Sequence, residues 1–258
     1  MAIHTLFGVV GLFLAATVAG AVNSVAGGGS LISFPALVAA GQPAILANAT
    51  NTAALWPGSV ASAVAYRRQT SLYRGLLPAL LVPSIVGGLL GAFVLVSTPP
   101  DLFDRVVPFL VLFATLLFAA RGRISRWIGQ APGVDEHVTT AGRVWGFLFQ
   151  LLVATYGGYF GAGIGILMLA SLGLMGLRDI HRMNALKTIL GALINVIAFV
   201  FFAAKGLVVW PLAALMAAGA IAGGYVGART AMRVDPRWVG RFVITVGLVV
   251  SVWLFVSR

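Results

Sequence analysis

Polar residues lie at three places inside the apolar stretches of the sequence, and the first is a pair of glycine-rich turns. Each turn directly precedes a short apolar segment. Glycines leave peptide N–H groups accessible to a close ligand, and the start of a helix presents unpaired N–H donors at the positive end of its dipole. We therefore expect these turns to bind an anion. The residues concerned are Asn23, Ser24, Gly27, Gly28, Gly29 and Ser30 in the first half of the chain and Gly161, Gly163 and Gly165 in the second.

Such glycines have an alternative role, which is to let helices pack closely. We favour this role for two further glycine groups, because neither adjoins a break and a short segment. These groups are Gly87, Gly88 and Gly91 in the first half and Gly223, Gly224 and Gly227 in the second.

The second place is a pair of polar stripes on predicted helices, one in each half. One stripe passes through positions 48, 52, 55, 59, 62 and 66, and the other through 184, 188, 191, 195, 198 and 202, at the spacing of a single helix face. Polar atoms that faced lipid would be costly, so both stripes should face protein or a water-filled cavity. Interhelical hydrogen bonding is the alternative to a binding role. The stripes add Asn48, Asn51, Thr52, Asn184, Thr188 and Asn195 to the predicted substrate-binding residues.

The third place is Lys187, the only cation that falls plausibly within a helix. It lies beside Asn184 and Thr188 in the sequence, where it could pair with an anionic substrate. A lysine one turn inside a helix could instead extend its ammonium group to the cytoplasmic surface. The sequence leaves both interpretations open.

The missing residue types exclude several classes of protein. All six carboxylates fall in loops or at helix ends, the three histidines are scattered, and there is no cysteine. A carrier of cations or metal ions would be expected to place acids within its spans. The sequence contains no catalytic triad, no His-Glu metal motif and no Walker loop. We therefore predict that the protein is not an enzyme and has no catalytic residues, no metal site and no cofactor.

The composition indicates the environment in which these residues must be positioned. Of the 258 residues, 60% are apolar and 9% are charged, and the 32 glycines bring the apolar share to roughly 72%, against about 45–50% in a soluble domain when glycine is counted. The net charge of +11 comes from basic residues in short runs between apolar stretches. This is the positive-inside distribution of a membrane protein and not a nucleic-acid-binding face. The sequence thus predicts an all-α polytopic integral membrane protein that contacts lipid and no nucleic acid.

Ten apolar segments are predicted, at 4–24, 28–41, 44–66, 75–97, 103–120, 142–160, 162–176, 181–204, 207–229 and 237–256. Segments 28–41 and 162–176 would cover only about 21 Å as helices, less than the ~30 Å hydrocarbon core of a bilayer. Each is therefore a thin crossing or a re-entrant half-helix. We favour ten crossings with both termini outside, since this arrangement places the four arginine-rich clusters in the cytoplasm.

The two halves of the chain align without a gap when shifted by 136 positions, which pairs Asn48 and Thr52 with Asn184 and Thr188. This alignment predicts a first transmembrane repeat at 1–120, a polar loop at 121–141 and a second repeat at 142–258. With five segments each, the copies would be inverted in the membrane, an arrangement that secondary transporters use to form a site near mid-membrane. If the short segments do not cross, the copies are parallel instead.

These motifs together resemble the sulfite exporter TauE/SafE family, also called the 4-toluene sulfonate uptake permease (TSUP) family. The resemblance covers essentially the entire chain. It rests on the turn and short segment at 26–35, on Thr50-Asn51-Thr52 with Tyr66-Arg67-Arg68, on Asn184-Ala185-Leu186-Lys187-Thr188 and on the glycine run at 223–228. It implies secondary transport of a sulfur-containing or organic anion, such as sulfite, a sulfonate or sulfoacetate, across a bacterial inner membrane.

The residues and the resemblance predict a secondary transporter with alternating access around a mid-membrane site, in which Lys187 supplies compensating charge. The protein would be a multi-pass protein of the inner (plasma) membrane. Its expected partners are a small anionic substrate and membrane lipid, and the sequence leaves a homo-oligomer open. A passive anion channel is the alternative function. A non-transporting membrane scaffold is a weaker one, because a scaffold would have no reason to duplicate the polar stripes.

Overall fold

The computed structural model describes residues 6–25, 28–65, 77–130, 140–175, 177, 180–230 and 236–256, and throughout this part of the chain the regular elements are α-helices. In chain order the ten helices are α1 Leu6–Val25, α2 Ser30–Ala39, α3 Ala44–Ala65, α4 Leu77–Ser97, α5 Pro100–Gln130, α6 Thr140–Tyr159, α7 Ile164–Leu174, α8 Ile180–Ala204, α9 Trp210–Thr230 and α10 Pro236–Val256. Each predicted apolar segment overlaps one helix. The all-α class predicted from the sequence is confirmed.

Several helices have the length and composition of membrane spans. Within the described residues, five stretches qualify: Phe7–Ser24, Ala79–Ser97, Pro100–Ile124, Leu186–Ala204 and Trp210–Gly227. Large apolar side chains project outward from them, as at Phe93 and Phe109, which are 58% and 61% exposed. Such side chains would be unfavourable in water and are suited to lipid. The chain is therefore a multi-pass membrane protein.

The two short helices have the positions that the sequence predicts but are shorter than the apolar segments around them. α2 has 10 residues and α7 has 11, which gives each a length of about 15–17 Å, roughly half of the hydrocarbon core. α2 packs against α1 and α3, and α7 packs against α6 and α8. The number of crossings and the placement of both termini outside stay predictions.

α5 is the helix whose end differs most from the prediction. It runs from Pro100 to Gln130 and therefore continues through residues 121–130 of the predicted polar loop at 121–141. Arginine has a high helix propensity, and no proline occurs in residues 121–131. Loss of hydrophobicity thus marked the end of the apolar stretch and not the end of the helix. The division of the chain into domains at this loop stays a prediction.

Glycines allow the closest helix pairs to form. A methyl group added at Gly91 of α4 would overlap the carbonyl of Thr155 on α6, and one added at Gly227 of α9 would overlap the backbone of Ala21 on α1. The packing role favoured for the glycines of α4 and α9 is confirmed for Gly87, Gly91, Gly223 and Gly227, whereas a Cβ atom at Gly88 or Gly224 would make ordinary contacts. The α4–α6 and α9–α1 pairs are equivalent under the shift of 136 positions. This pairing is what a duplicated fold would have, although the inverted arrangement itself stays a prediction.

Candidate functional site

A cavity of about 60 Å³ lies where α1, α2, α3, α7 and α8 meet. Polar residues and glycines share its wall with apolar side chains. The residues that line it are Asn23, Gly28, Ser30, Thr52, Leu55, Ser59, Phe160, Gly161, Ile164, Gly165, Met168, Lys187, Thr188, Gly191, Ala192 and Asn195.

The two predicted repeats contribute equivalent positions to this wall. Thr52 and Thr188 both line the cavity, as do Ser59 and Asn195, and each pair is separated by the shift of 136 positions that aligns the halves. Both stripes reach the cavity through their middle residues, because α3 packs directly against α8. The cavity therefore lies between corresponding faces of the two halves of the chain.

Many of the predicted binding residues meet at this cavity. They are Asn23, Gly28, Ser30, Thr52, Gly161, Gly165, Lys187, Thr188 and Asn195. Proximity to a cavity does not establish substrate binding, so their binding role stays a prediction.

Lys187 lies in the cavity wall and not at the surface. Its side chain is 8% exposed, so the ammonium group does not extend into solvent from the N-terminal end of α8. A Cβ atom placed on Gly165 would lie 3.1 Å from the Lys187 Cδ atom, which is closer than most side-chain contacts. The glycine at 165 thus leaves room on α7 for the aliphatic stem of the lysine.

Asn23 holds the turn between α1 and α2 in place. Its Oδ1 atom accepts a hydrogen bond from the Gly28 N–H at 3.3 Å, and its Nδ2 atom donates to the Ser59 Oγ atom at 3.4 Å. The Gly28 N–H, which the sequence predicts as an anion donor, is therefore paired within the protein. Gly28 has a φ of 141°, a conformation that glycine adopts at no steric cost.

Other donors face the cavity. In the part of the chain that the structure describes, the side chains of Ser30 and Asn195 line the cavity without a hydrogen-bond partner. The first turns of α2 and α7 also border it, through Ser30 and Gly165. Helix starts present N–H groups and the positive ends of two dipoles. Lys187 lines the same cavity, and no acidic side chain is among the described lining residues.

The turn between α6 and α7 is stabilised by the chain itself. The Tyr156 hydroxyl donates a hydrogen bond to the Ala162 carbonyl at 2.7 Å. Gly161 and Gly163 both have a φ of 77°, a left-handed conformation that disfavours other residue types. Gly161 lines the cavity, whereas Gly163 packs against Ala114 of α5.

Asn48 of the first stripe and Asn51 beside that stripe are directed away from the cavity. Asn48 donates a hydrogen bond from Nδ2 to the Tyr159 carbonyl at 2.9 Å, and Asn51 accepts one from the Ser33 hydroxyl. Both side chains are about 1% exposed. The structure gives these residues the interhelical hydrogen bonds that the sequence left as the alternative to binding.

The remaining predicted residues lie apart from the cavity or outside the residues that the structure describes. The Ser24 hydroxyl donates to the Ala21 carbonyl at 2.9 Å, and Gly29 lies against the backbone of Ala19. Gly27 and the side chain of Asn184 lie outside the residues that the structure describes.

Sequence reasoning missed the apolar part of the wall. Leu55 and Gly191 belong to the two stripes, but their lack of polar atoms removed them from the prediction. Phe160 directly precedes the Gly161 turn, and Met168 lies one turn beyond Gly165 on the same face of α7. The helical spacing could have identified these two residues as neighbours of the predicted polar ones.

Comparisons with known proteins agree with this architecture. The family model described as "Sulfite exporter TauE/SafE" matches residues 12–254. "Probable membrane transporter protein ORF9" from Sinorhizobium sp is 31% identical over 94% of this chain and 90% of its own length. "Probable membrane transporter protein YfcA" from Escherichia coli is 27% identical over 93% of this chain and 87% of its own length. A "Probable membrane transporter protein" from Haemophilus influenzae is 27% identical over 86% of this chain and 84% of its own length. No solved structure matches the chain.

Proposed function

Since the chain belongs to the sulfite exporter TauE/SafE family, we propose that it is a secondary transporter of a small sulfur-containing or organic anion. Sulfite, a sulfonate or sulfoacetate is the type of substrate expected. The protein would act in the bacterial inner (plasma) membrane and would be a carrier and not an enzyme. Names of the relatives support the transporter class, while the substrate type rests on the family and on the cavity.

The observation that carries the proposal is the position of Lys187. Its side chain is buried in the wall of a cavity that also receives the first turns of α2 and α7. Ionisable side chains within membrane-spanning segments commonly mark substrate or ion pathways. An anion entering the cavity would meet the ammonium group, the amide of Asn195 and the hydroxyl of Ser30. This set of donors favours an oxyanion over a cation or a neutral solute.

The mechanism that follows is alternating access. The two predicted repeats would rock against each other, so that the cavity between α3 and α8 opens to one side of the membrane at a time. Lys187 would compensate the charge of the anion, while Asn195, Ser30 and the two threonines of the stripes would orient its oxygens. Asn23 would act indirectly, by fixing the turn that leads into α2.

Replacement of Lys187 tests the proposal in proteoliposomes. Lys187→Met keeps much of the aliphatic stem and removes the charge, and we expect sulfite flux to fall by at least about thirtyfold, because loss of one partner of a buried charge pair costs about 2 kcal/mol or more. Lys205→Met is the matched control, since Lys205 is exposed at the end of α8. Unchanged flux in Lys187→Met would contradict the site, and absent flux in the unmodified protein would contradict the function.

Counterflow distinguishes the carrier from the alternatives. Unlabelled anion on the far side of the membrane should accelerate entry of labelled anion, because a carrier returns faster when loaded. Flux without such acceleration would indicate a passive channel instead. If the polar residues of both stripes are replaced by leucine and the phenotype is unchanged, that result would favour a scaffold.

A further inference from the structure

Gln150 on α6 and Ser171 on α7 each have a buried polar atom, Oε1 and Oγ, that makes no hydrogen bond within the described part of the chain. Both side chains are 0% exposed. The Gln150 Nε2 atom donates to the Ser84 Oγ atom at 3.0 Å, and the Ser84 hydroxyl donates to the Leu80 carbonyl at 2.7 Å. Because Ser84 has no second proton to donate, its contact with Gln150 fixes Oε1 as the unpaired end of the amide. Buried polar atoms without partners are costly, so both atoms need an explanation.

The two residues occupy facing positions of α6 and α7, which pack against each other. A Cβ atom added at Gly146 would overlap the side chain of Met175, and one added at Gly157 would overlap that of Ile164. These contacts make the two helices antiparallel. The glutamine is four residues after Gly146 and the serine is four residues before Met175, so both lie at one level on the contacting faces. An unused acceptor therefore faces an unused hydroxyl donor across the helix pair.

The helix that carries this serine also forms part of the cavity wall. Met168 lines the cavity, and Ser171 is one turn further along the same face of α7. The turn before α7 contains Gly161 and Gly163, each with a φ of 77°. Glycine accepts changes of φ and ψ that other residues resist, so this turn can act as a hinge for the short helix. A small shift of α7 along α6 would bring the hydroxyl to the amide oxygen and move Met168 relative to the cavity.

The pair belongs to the second half of the sequence alone. The shift of 136 positions places Leu14 and Pro35 at the equivalent positions of α1 and α2. Neither of these side chains can form a hydrogen bond. The pair therefore concerns the position of α7 and not that of α2.

We propose that Gln150 and Ser171 are positioning residues for transport, whose hydrogen bond forms when α7 shifts along α6. In the conformation of the structure the two atoms are unpaired and α7 places Met168 in the cavity wall. In the second conformation the hydrogen bond offsets part of the cost of moving the helix, which brings the two states of an alternating-access carrier closer in free energy. This inference rests on the proposed function and assigns the pair a step within it.

Ser171→Ala separates this role from a structural one. The substitution removes an unpaired hydroxyl from the conformation of the structure, so we expect the thermal unfolding temperature in detergent to rise by roughly 2–4 °C. It also removes the hydrogen bond of the second conformation, so sulfite flux in proteoliposomes should fall by about fivefold. Binding of methanesulfonate, a small sulfonate, should not weaken in isothermal titration, because Ser171 is not among the described residues that line the cavity. A residue with a structural role alone would lose stability and flux together.

Gln150→Met tests whether the two residues act as a pair. Methionine has a similar length and lacks the amide oxygen, so flux should again fall by about fivefold. The double variant should be about as slow as either single variant, whereas independent effects would multiply to about 25-fold. Flux alone is compared in this series, because the substitution also removes the bond to Ser84.

Ser251→Ala is the matched control for the serine substitution. Ser251 is 2% exposed on α10, and its hydroxyl already donates to the Gly247 carbonyl at 2.7 Å. Removing a paired hydroxyl should not raise the unfolding temperature, and flux should be unchanged.

Three results would overturn the inference. A lower unfolding temperature in Ser171→Ala would show that its hydroxyl is already paired, through a water molecule or with the amide itself. Unchanged flux in Ser171→Ala would show that the pair has no role in transport, and multiplied effects in the double variant would show that the residues act separately. Each of these results leaves sulfite transport by the unmodified protein intact. Absent sulfite flux in the unmodified protein would instead contradict the proposed function.

Discussion

Asn23 connects three elements at the edge of the cavity. Its amide joins the turn before α2, through Gly28, to α3, through Ser59. A neutral amide can both accept from the Gly28 N–H and donate to the Ser59 hydroxyl. It does so without adding charge to a wall that contains Lys187. Neutrality at position 23 therefore matters as much as the hydrogen bonds that Asn23 makes.

Two substitutions of Asn23 separate charge from geometry. Asn23→Asp keeps an acceptor for the Gly28 N–H but places a negative charge in the wall, so we expect methanesulfonate affinity to fall by at least about tenfold through like-charge repulsion. Asn23→Ala removes both hydrogen bonds without adding charge and should weaken binding less. Isothermal titration gives both values. A loss in Asn23→Ala as large as in Asn23→Asp would show that geometry, and not charge, governs binding.

Asn48 is expected to affect stability more than binding. Asn48→Ala leaves the Tyr159 carbonyl without the donor that it has at 2.9 Å, which should lower the free energy of unfolding by about 1–3 kcal/mol. Thermal unfolding in detergent measures the change, and isothermal titration measures anion affinity, which should change little. Lower affinity with unchanged thermal stability would instead support the direct binding role predicted from the sequence.

Which polar residues reach the cavity could be predicted only in part. The cost of polar atoms in lipid requires both stripes to face protein, and this argument located Thr52, Thr188 and Asn195 correctly at the cavity. It could not separate Thr52 from Asn48, which lies one turn away on the same face. The difference arises because the end of α6 lies beside Asn48, and that neighbour comes from a segment distant in the sequence.

α2 and α7 show why the helices themselves were more predictable than their contacts. Glycine turns and short apolar runs predicted both helices, because helix-breaking residues and hydrophobicity can be read from the local sequence. The end of α5 was not predictable from hydrophobicity, since its last part is polar yet lacks a proline. The orientation of α2 and α7 in the membrane depends on the packing of α1, α3, α6 and α8 around them.

The turn before α7 should be sensitive to any side chain at Gly163. Gly163→Ala has room, since its Cβ atom would lie 3.6 Å from Ala114, but the φ of 77° is unfavourable for alanine. We expect a loss of about 1–2 kcal/mol in stability, measured by thermal unfolding. Gly122→Ala in α5 is the control, because nothing lies within 4 Å of its added Cβ atom and alanine favours a helix by about 0.5–1 kcal/mol. If both substitutions changed thermal stability in the same direction, this account of the turn would be wrong.

The two halves of the molecule are similar in fold but differ in the charge that they bring to the cavity. The fold contains the equivalent helix pairs α1–α9 and α4–α6, and both stripes contribute to one cavity. Lys187 nevertheless has Asn51 as its equivalent, and Asn51 bonds to Ser33 outside the cavity. The shift of 136 positions made the location between the halves predictable. The sequence also shows Lys187 at the position equivalent to Asn51, but it could not predict that Asn51 would bond to Ser33 outside the cavity.

The negative charge of a singly charged substrate has a consequence for the direction of transport. If the carrier returns empty, each cycle moves one negative charge, and the membrane potential contributes about 2.3 kcal/mol per charge per 100 mV. We expect methanesulfonate in proteoliposomes held at 100 mV, inside negative, to reach a concentration roughly fiftyfold higher outside than inside. The same vesicles without a potential should reach equal concentrations. Equal concentrations under the potential would instead require a coupled counterion, and accumulation inside would require coupling strong enough to drive uptake.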